Sequence, residues 1–431
     1  MPKVVHLTSV HHPGDSRIFY KECRSLARAG YQVVLVAPQR GEEIRDGVRI
    51  KGIGVPRNRF HRWFCLSRQI YRAALREEGE LYHFHDPELL PVGWLLRRRG
   101  KKVVYDIHED YSTSIKQKRY LPPPFRQLLG AVFNRAEGWL AAPFVQVLAE
   151  KYYARRFPRG IEVLNYPPRE LVEQVGSVPG APLRPSLESI RTIREEGERI
   201  PQESREAGEG SGGGTPGIRA ERGEGKGQGS SFQPKPPRFL YTGNVTPDRG
   251  AYCHARILRL LRELEGREGL AEAEVHLVGR CSQELAEKLR EAAGEGKKRL
   301  KIIGEGYYVP FHEIVNSYRR GGWTAGLALF PSTAHYREKE LTKIFEYMAA
   351  GIPVLASDFP VWRKLVEGTG SGICVSPHCR EELEEALCRL ISRPEERSRM
   401  GRRGQEAVWN QYNWETQEEK LVELYRQLLN R

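Results

Sequence analysis

Long apolar runs are missing from this 431-residue chain. No uninterrupted apolar stretch approaches the roughly 20 residues that a transmembrane helix needs. Residues 1–37 also lack the charged start, the central apolar run and the small-residue cleavage site of a secretory signal. We therefore expect a cytoplasmic protein that has no membrane-spanning helix.

Paired cysteines and a dinucleotide fingerprint are missing as well. The seven cysteines form an odd set without a C-x-x-C pair, so they suggest neither a disulfide framework nor a zinc site. The first apolar run, KVVHLTSV, leads into HHPGDS, which holds one glycine where G-x-G-x-x-G would be expected of an NAD-dependent oxidoreductase. That class of enzyme is therefore a weak alternative.

What the chain has in excess is positive charge, with 69 Lys and Arg against 55 Asp and Glu, or +14 net. Such an excess fits nucleic acid, an anionic membrane surface or a phosphorylated substrate. No RNP, zinc-finger or basic-zipper pattern accompanies it, so we expect no nucleic acid among the partners. With 39% hydrophobic residues, a chain of this length should form two domains.

Strand-like apolar runs alternate with helical patterns along two parts of the chain. This alternation predicts an α/β fold in which two parallel-sheet domains, residues 1–168 and 238–405, face each other across a cleft. Residues 176–237 are rich in Gly, Pro, Ser and charged residues, which predicts a disordered linker or insertion. The remaining residues, 406–431, predict a C-terminal helix that packs back toward the first domain.

The most informative stretch is YREKELTKIFEYMAAGIPVLASDFP, residues 336–360. Its apolar spacing, followed by a glycine and a proline, predicts a helix over 342–350 that Thr342 caps. Residues 332–341 should then form a loop that leads into the helix N-terminus, which is a good site for phosphate. Lys343 lies in the first turn, where a cation is unfavourable unless an anion compensates it.

Two acids flank this lysine eight positions apart. Glu338 and Glu346 could reach opposite ends of a ligand that has phosphate in its middle, and carboxylates are good acceptors for sugar hydroxyls. The alternative is a solvated, charge-rich helix start whose acids and lysine face water. The spacing together with GIPVLASDFP is more specific than either part.

The E-x7-E spacing and YMAAGIPVLASDFP resemble the donor-sugar signature of the retaining glycosyltransferase family 4 (glycosyl transferases group 1), which has the GT-B fold of two Rossmann-like domains. Further matches are HLTSVHHPGDSRIFYKECRSLARAGYQVVLVA, YHFHDPELLP, KVVYDIHEDY and YTGNVTPDRG. The resemblance implies transfer of a sugar from a nucleotide diphosphate sugar with retention of configuration. Surface polysaccharide synthesis is one process that would use such a transfer.

The resemblance also implies roles for individual residues. Glu338 would contact the donor sugar and Glu346 the ribose, while His108 would lie near the sugar and phosphate as a catalytic residue. Arg249 would hold the diphosphate together with Lys343. Base recognition would use the backbone near residues 279–280 and 306–308.

One position departs from the family pattern. Many members carry an arginine after the glycine of the first loop of the second domain, where this chain has Asn244 after Gly243. Asn donates hydrogen bonds but carries no charge, so the diphosphate would depend more on the other cations. No D-x-D motif of metal-dependent transferases is present. The resemblance favours attack on the face that the diphosphate leaves, and we expect no metal and no cofactor.

The first domain would supply the acceptor side, with a glycan, a lipid-linked molecule or a small molecule as acceptor. Gly14 would let the backbone approach the donor, unless it is an ordinary turn glycine. His85 and Asp86 follow a strand at the edge that faces the cleft, which makes Asp86 an acceptor-side candidate, unless these residues serve capping or packing.

The segment over residues 57–76 mixes six arginines with large apolar residues. Such a basic amphipathic helix can lie on an anionic membrane, although the simpler interpretation is a core-facing helix with a solvated basic face. Two rival functions also stay open from the sequence. A nucleotide-sugar epimerase or hydrolase would bind the same donor, and a non-catalytic basic binding protein would not depend on the acid pair.

Overall fold

The structure, a computed structural model, describes residues 1–55, 58, 61–108, 111, 122–175, 236–264 and 272–430. The predicted insertion over 176–237 therefore lies outside the described residues except for its last two positions. The described residues on either side of that insertion form one compact body, which contains two sheets.

The first sheet has eight strands in the order β3-β4-β2-β1-β5-β6-β7-β8. Its strands are β1 (Lys3–Leu7), β2 (Gln32–Ala37), β3 (Glu42–Arg45), β4 (Val48–Gly52), β5 (Leu81–Phe84), β6 (Lys102–Ile107), β7 (Val145–Leu148) and β8 (Ile161–Glu162). All neighbours are parallel except the antiparallel β3 and β4. The central strands are apolar on both faces because helices cover both.

The helices of this domain include two irregular segments. Five α-helices are described, α1 (Arg24–Arg28), α2 (Ser67–Glu77), α3 (Leu90–Arg98), α4 (Pro123–Ala141) and α5 (Arg169–Val175). A π-helical segment, Ile18–Cys23, runs into α1, and another, His61–Leu66, runs into α2. Short 3₁₀ turns lie at Pro87–Leu89 and Lys151–Arg155.

The second sheet has six parallel strands in the order β11-β10-β9-β12-β13-β14. They are β9 (Arg238–Thr242), β10 (Glu274–Cys281), β11 (Leu300–Glu305), β12 (Ala325–Ala328), β13 (Val354–Ser357) and β14 (Gly372–Val375). The chain moves outward from β9 to β11 and then crosses to β12 on the other side. The strand order therefore reverses between β9 and β12, as it does between β1 and β5, and ligands of such sheets bind where it reverses.

The helices that accompany the second sheet follow the predicted alternation. They are α6 (Ala251–Glu263), α7 (Gln283–Ala292), α8 (Phe311–Arg319), α9 (Ala334–Glu338), α10 (Thr342–Ala349), α11 (Pro360–Val366) and α12 (Arg380–Ser392). Short 3₁₀ turns lie at Pro247–Arg249 and Gly294–Arg299.

The chain then returns from the second domain to the first. Helix α13 (Pro394–Asn410) packs on α10, and α14 (Glu415–Asn430) joins the core on one face of the first sheet. Trp414, just before α14, donates a 2.9 Å hydrogen bond to the Ser25 hydroxyl, and Tyr425 is fully buried. The C-terminal residues thus belong to the core of the first sheet.

The predicted fold class, two parallel-sheet α/β domains, is confirmed. Sequence reasoning missed the β3–β4 hairpin and α4, which lie between predicted elements. No helix of the described ranges has both the length and the apolar character required to cross a bilayer.

Candidate active site

Three glycines lie on neighbouring strands at the C-terminal edge of the second sheet. Gly243, Gly279 and Gly304 have φ angles of 100°, 153° and 105°. A Cβ atom on Gly279 would lie 2.0 Å from the carbonyl oxygen of Gly243, and one on Gly304 would lie 2.4 Å from that of Gly279. Only glycine fits at positions 279 and 304, because backbone atoms occupy the space that a side chain would need. A ligand at this edge could therefore lie close against the main chain.

Lys343 lies directly beneath the Gly243 turn. Its Nζ is 3.4 Å from the position of a Cβ atom on Gly243 and donates a 2.6 Å hydrogen bond to the carbonyl oxygen of Thr242. The ammonium also lies 3.7 Å from the centre of the Tyr241 ring. Burial, and after it the charge of Arg249, hold the pKa of Lys343 well below its ordinary value.

Arg249 is the second cation at this edge. It ends the turn Pro247–Arg249, is half-buried and bonds to the side chain of Tyr336. The Tyr336 hydroxyl in turn donates a 3.1 Å hydrogen bond to Asp248. No ion pair joins Lys343 or Arg249 to a carboxylate of the described residues. Two neighbouring cations thus lack an anion beside the glycine edge.

Glu346 lies one turn into α10 and faces the first domain. It accepts a 2.9 Å hydrogen bond from the hydroxyl of Tyr318, which also lies 2.9 Å from the Thr242 hydroxyl. In the first domain, burial lowers the pKa of Lys21 to about 7. Among the neighbouring charges that oppose this shift, the charge of Glu346 has the largest effect. Both domains therefore present charged groups to the same space.

Glu338 is held differently from the prediction. Residues 332–341 do not form a continuous loop, because α9 occupies Ala334–Glu338 and Thr333 caps it. Glu338 ends this helix, is about half-exposed and forms a 2.6 Å ion pair with Arg155 of the first domain. The predicted cap of α10 is also wrong. Leu341 is the N-cap and makes no side-chain bond, because Thr342 is already helical.

In the first domain, His108 lies at the end of β6 between an acid and another histidine. Its Nδ1 is 3.0 Å from Asp106 Oδ2, and its Nε2 is 3.0 Å from His11 Nε2. Asp106 is fully buried and makes two hydrogen bonds, of 2.9 and 2.7 Å, with the Arg17 guanidinium. Burial alone would raise the pKa of Asp106, but Arg17 holds it well below its ordinary value. The side chain of His108 is 10% exposed.

His11 carries a positive charge in this network. Burial opposes the charge, but bonds with Asp15 and Asp86 outweigh it and raise the pKa of His11 to about 11. A cationic His11 can donate from Nε2 to His108 Nε2, and the Nδ1–H of His108 can donate to Asp106. The site thus places a fixed cation beside a histidine that accepts from it.

Comparison with known proteins is decisive at this point. The sequence model of Glycosyltransferase Family 4 matches residues 14–157, and that of Glycosyl transferases group 1 matches residues 227–407. Together they cover both domains. The chain is a GT4-type glycosyltransferase. No curated protein matches the sequence of this glycosyltransferase significantly.

Solved structures show the same GT-B fold. The glycosyltransferase is similar to sucrose-phosphate synthase from Thermosynechococcus elongatus, with 15% identity, a TM-score of 0.67 and all of both chains covered. It is also similar to Anabaena HepE in complex with UDP and glucose, with 12% identity, a TM-score of 0.63 and 99% of each chain covered. A trehalose-6-phosphate structure from E. coli bound with UDP-2-fluoro glucose has 10% identity, a TM-score of 0.62 and coverage of 100% of this chain and 99% of that one.

The side chain of Asp86 turns inward in this glycosyltransferase. It is fully buried and accepts hydrogen bonds from the Thr8 hydroxyl at 2.9 Å and the Ser9 N–H at 2.6 Å. Its other oxygen lies 3.3 Å from His11 Nε2. The predicted acceptor-side role is therefore corrected, since Asp86 positions His11. His85 is likewise buried and bonds Asp106 at 3.1 Å.

The structure does not fix the two other predicted residues, Gly14 and Asn244, toward a ligand. Gly14 lies in a turn, where its N–H donates to His12 Nδ1 at 3.0 Å. A Cβ atom there would only touch His12 and Arg45 at 3.4 Å or more, so the turn does not require glycine. Asn244 is exposed, and its carbonyl oxygen accepts a 2.8 Å hydrogen bond from Tyr241. Its side chain is free to meet a ligand.

Where it is described, the segment over 57–76 agrees with the simpler interpretation, a core-facing helix with a solvated basic face. Leu66, Ile70 and Ala74 are buried, while Arg68 and Arg72 are exposed. Its apolar face thus packs on the core and its basic face meets solvent. Among the residues of the basic stretch, Arg57, Arg59 and Phe60 lie outside the described residues.

Sequence reasoning missed several side chains of the site, namely His11, Arg17, Lys21, Asp106, Arg155 and Tyr318. One signal was available for His11, because its histidine pair follows the first strand at the edge where ligands bind. The others pair with residues far along the chain. Histidines and acids also come together in and beside this network, in two groups whose possible ligand atoms lie within 4.8 Å of one another.

Proposed function

We propose that this glycosyltransferase moves a sugar, with retention of anomeric configuration, from a nucleoside diphosphate sugar to a hydroxyl group of its acceptor. The observation that carries the proposal is the pair of cations, Lys343 and Arg249, that lie beside the Gly243 turn without a carboxylate partner among the described residues. Burial and then Arg249 lower the pKa of Lys343, and a bound anion would favour the charged form of the lysine. The glycosyltransferase family makes a nucleoside diphosphate the natural anion.

The diphosphate would lie between the Gly243 turn and the start of α10. Lys343 and Arg249 would donate to its oxygens, and the free N–H groups at the N-terminus of α10 would add to the positive potential. Hydrogen bonds to charged groups contribute about 1.5 to 3 kcal/mol each. Because these donors are already fixed, they stabilise the charge that develops on the departing diphosphate without reorganising.

The two acids would hold the sugars on either side. Glu346 would accept a ribose hydroxyl, since Tyr318 fixes its carboxylate and leaves further acceptor capacity. Glu338 would accept hydroxyls of the donor sugar after exchanging its ion pair with Arg155. An exposed pair of this kind contributes only about 0 to 1 kcal/mol, so sugar hydroxyls can displace it.

Catalysis would follow from the position of the first domain. His108, backed by Asp106 and beside the cationic His11, would contact the donor sugar and phosphate. The acceptor hydroxyl would attack on the face that the diphosphate leaves, and a diphosphate oxygen would take its proton. The cations supply the charge stabilisation that a metal ion provides in other enzymes, so we propose transfer that needs no metal.

The acceptor would bind on the side of the first domain as a glycan, a lipid-linked molecule or a small molecule. Contact with an anionic membrane would use Arg68, Arg72 and the exposed Trp63, because the apolar face of α2 is buried. A lipid-linked acceptor of surface polysaccharide synthesis would fit that arrangement. Charge reversal at both arginines should then reduce co-sedimentation with anionic vesicles.

The test begins with binding. UDP and GDP should raise the melting temperature of the full chain in proportion to ln(1 + [L]/Kd), and Lys343→Met should weaken this binding at least about tenfold, or about 1.4 kcal/mol. Lys364→Met is the matched control, because Lys364 is an exposed lysine of the same domain. If both variants bind like the wild type, the diphosphate does not lie at Gly243.

Transfer is tested with the nucleotide sugar whose diphosphate binds. Release of nucleoside diphosphate should depend on an added acceptor, and NMR of the product should show the donor's anomeric configuration. A chelator added to the folded protein should leave the rate unchanged. Equal release with and without acceptors would favour a hydrolase, conversion of the donor sugar an epimerase, and an inverted product would exclude retention.

A further inference from the structure

A second group of polar side chains lies deeper in the first domain, behind the histidine network. His6 lies in β1, His83 in β5, and Glu22 in the π-helical segment Ile18–Cys23, and all three have no solvent exposure. His85, directly after β5, is 2% exposed. Three histidines and a glutamate therefore share this interior, next to the buried Arg17 and Asp106.

The donor atoms of these four residues converge. One atom from each lies within 4.8 Å of those of the other three. His6 Nδ1 is 3.0 Å from His85 Nε2. Glu22 Oε2 is 4.0 Å from His6 Nδ1 and 3.9 Å from a ring nitrogen of both His83 and His85. A tetrahedral ion with bonds near 2 Å needs donors about 3 to 3.5 Å apart, which small side-chain movements would reach.

The carboxylate of Glu22 lacks hydrogen bonds although it is fully buried. The Arg17 Nε lies 3.1 Å from Oε1, but this guanidinium directs its hydrogen bonds to Asp106 and to the carbonyl oxygen of Val163. A buried carboxylate without hydrogen bonds is costly. A bound cation would remove that cost.

The outer contacts resemble those of metal-bound histidines. His85 can bind an ion through Nε2 while its Nδ1–H donates to Asp106 Oδ2 at 3.1 Å. His6 can bind through Nδ1 while its Nε2–H donates to the Tyr425 hydroxyl at 3.2 Å. Such partners fix the tautomer and the ring orientation of metal ligands. Of the four residues, His83 would leave the ion most easily, because its Nδ1 also lies 2.7 Å from the Tyr425 hydroxyl and can bond to it instead.

We propose that His6, Glu22, His83 and His85 form a buried site for a divalent transition-metal ion, with Zn²⁺ as the ion that three imidazoles and one carboxylate suit best. The ion is structural, since it joins β1, β5 and the segment before α1 and lies out of solvent. Through His85 and Asp106 it would also hold the orientation of His108. The site does not rest on the donor or acceptor proposed above.

The experiment uses the full chain, expressed with zinc in the medium and purified without metal-chelating resin. Elemental analysis should find about one zinc per chain, because a closed site of this type retains its ion. The variant Glu22→Gln should keep the fold but hold much less zinc, and His83→Gln should hold an intermediate amount. The control His276→Gln, in the second domain, should hold as much zinc as the wild type.

Refolding provides a second measurement that does not depend on the ion supplied in cells. The wild-type chain, unfolded with a chelator and refolded with or without ZnCl₂, should melt several degrees higher with zinc, and Glu22→Gln should show no such difference. Wild-type protein that carries no metal and melts alike after both treatments would overturn the site. So would zinc that Glu22→Gln and His83→Gln retain in full.

Discussion

Arg155 of the first domain and Glu338 of the second form an ion pair with 2.6 Å between Nη1 and Oε1. The side chain of Arg155 is 73% exposed and that of Glu338 is 49% exposed. A neighbouring pair, Lys151 with Glu340 at 2.8 Å, crosses at the same place. Glu338, the acid proposed to bind the donor sugar, therefore already pairs with Arg155 of the other domain.

Separate effects are expected from the two members of this pair. Glu338→Gln should lower kcat about 100-fold, since it removes a contact that strengthens as the donor sugar gains charge. Arg155→Gln should change kcat/KM by less than about fivefold, because an exposed pair contributes about 0 to 1 kcal/mol. Steady-state kinetics with the identified donor measures both. Glu340→Gln is the matched control, and a loss as large as that of Glu338→Gln would remove the special role of Glu338.

Binding of a nucleoside diphosphate should be accompanied by proton uptake at Lys343. In the free protein the pKa of this lysine is held well below its ordinary value by burial and then by Arg249. A nearby anion favours the charged form and raises the pKa again. Calorimetry in buffers of different ionisation enthalpy should show uptake of up to about one proton above the lowered pKa, and none with Lys343→Met.

The same lysine should affect stability with a definite sign. Its pKa is lower in the folded than in the unfolded chain, so the unfolded state binds more protons between the two values. The free energy of unfolding should therefore rise with pH across that window. Lys343→Met should flatten this rise, and Lys364→Met should not. An equal rise in both variants would place the responsible group elsewhere.

Asp86→Asn should move the titration of His11 toward neutral pH. Burial opposes the charge of His11, and Asp15 and Asp86 together raise its pKa to about 11, above the ordinary 6.5 or so. The stabilisation from this raised pKa is complete below about pH 6.5 and is lost as pH rises through the folded value. In the variant the loss should occur at lower pH, and the pH profile of kcat/KM should gain a corresponding limb.

Asp15→Asn is the companion to that variant. It also removes a carboxylate from His11, but it leaves the bonds of Asp86 with Thr8 and Ser9 in place. Both variants should therefore shift the His11 titration, observable by NMR. A His11 titration that neither variant moves would contradict the proposed charge.

Gly279→Ala should destabilise the second domain more than a positive φ alone explains. The new Cβ would lie 2.0 Å from the Gly243 carbonyl oxygen, so the variant should lose about 2 kcal/mol or more and bind nucleotides poorly. Gly294→Ala is the control, since Gly294 has φ of +60° with open space around it and should cost about 1 kcal/mol. Chemical denaturation measures the free energy of unfolding of both variants. Equal losses would mean that the main chain around Gly279 moves to make room for the new Cβ atom.

Local patterns sufficed for much of the fold. The runs KVVHL and RFLYT are strands as predicted, because apolar β-branched and aromatic residues fit a buried sheet. Helix α10 spans Thr342–Ala349 as its apolar spacing and Gly351 indicated. The prediction that Thr342 caps the helix was wrong, because the presence of a residue suited to capping does not show whether the helix starts before or after that residue.

The site was harder to predict because its contacts join distant positions. Lys343 was expected at a helix start near phosphate, yet its ammonium bonds the carbonyl oxygen of Thr242, 101 positions earlier. Arg17 reaches Asp106 across 89 positions. Asp86 was taken as ligand-facing from its strand-end position, which says where a residue lies but not whether its side chain turns inward. Burial decided that, and sequence spacing does not encode it.

The return of α14 to the first sheet affects how this protein can be made. Tyr425 and Trp414 fill a core whose other members, such as Val4 and Leu26, are translated about 400 residues earlier. The first domain therefore cannot complete its interior on the ribosome while the second is being synthesised. Nascent chains should expose that unfinished apolar face until the final helix emerges, which makes them clients for chaperones during translation.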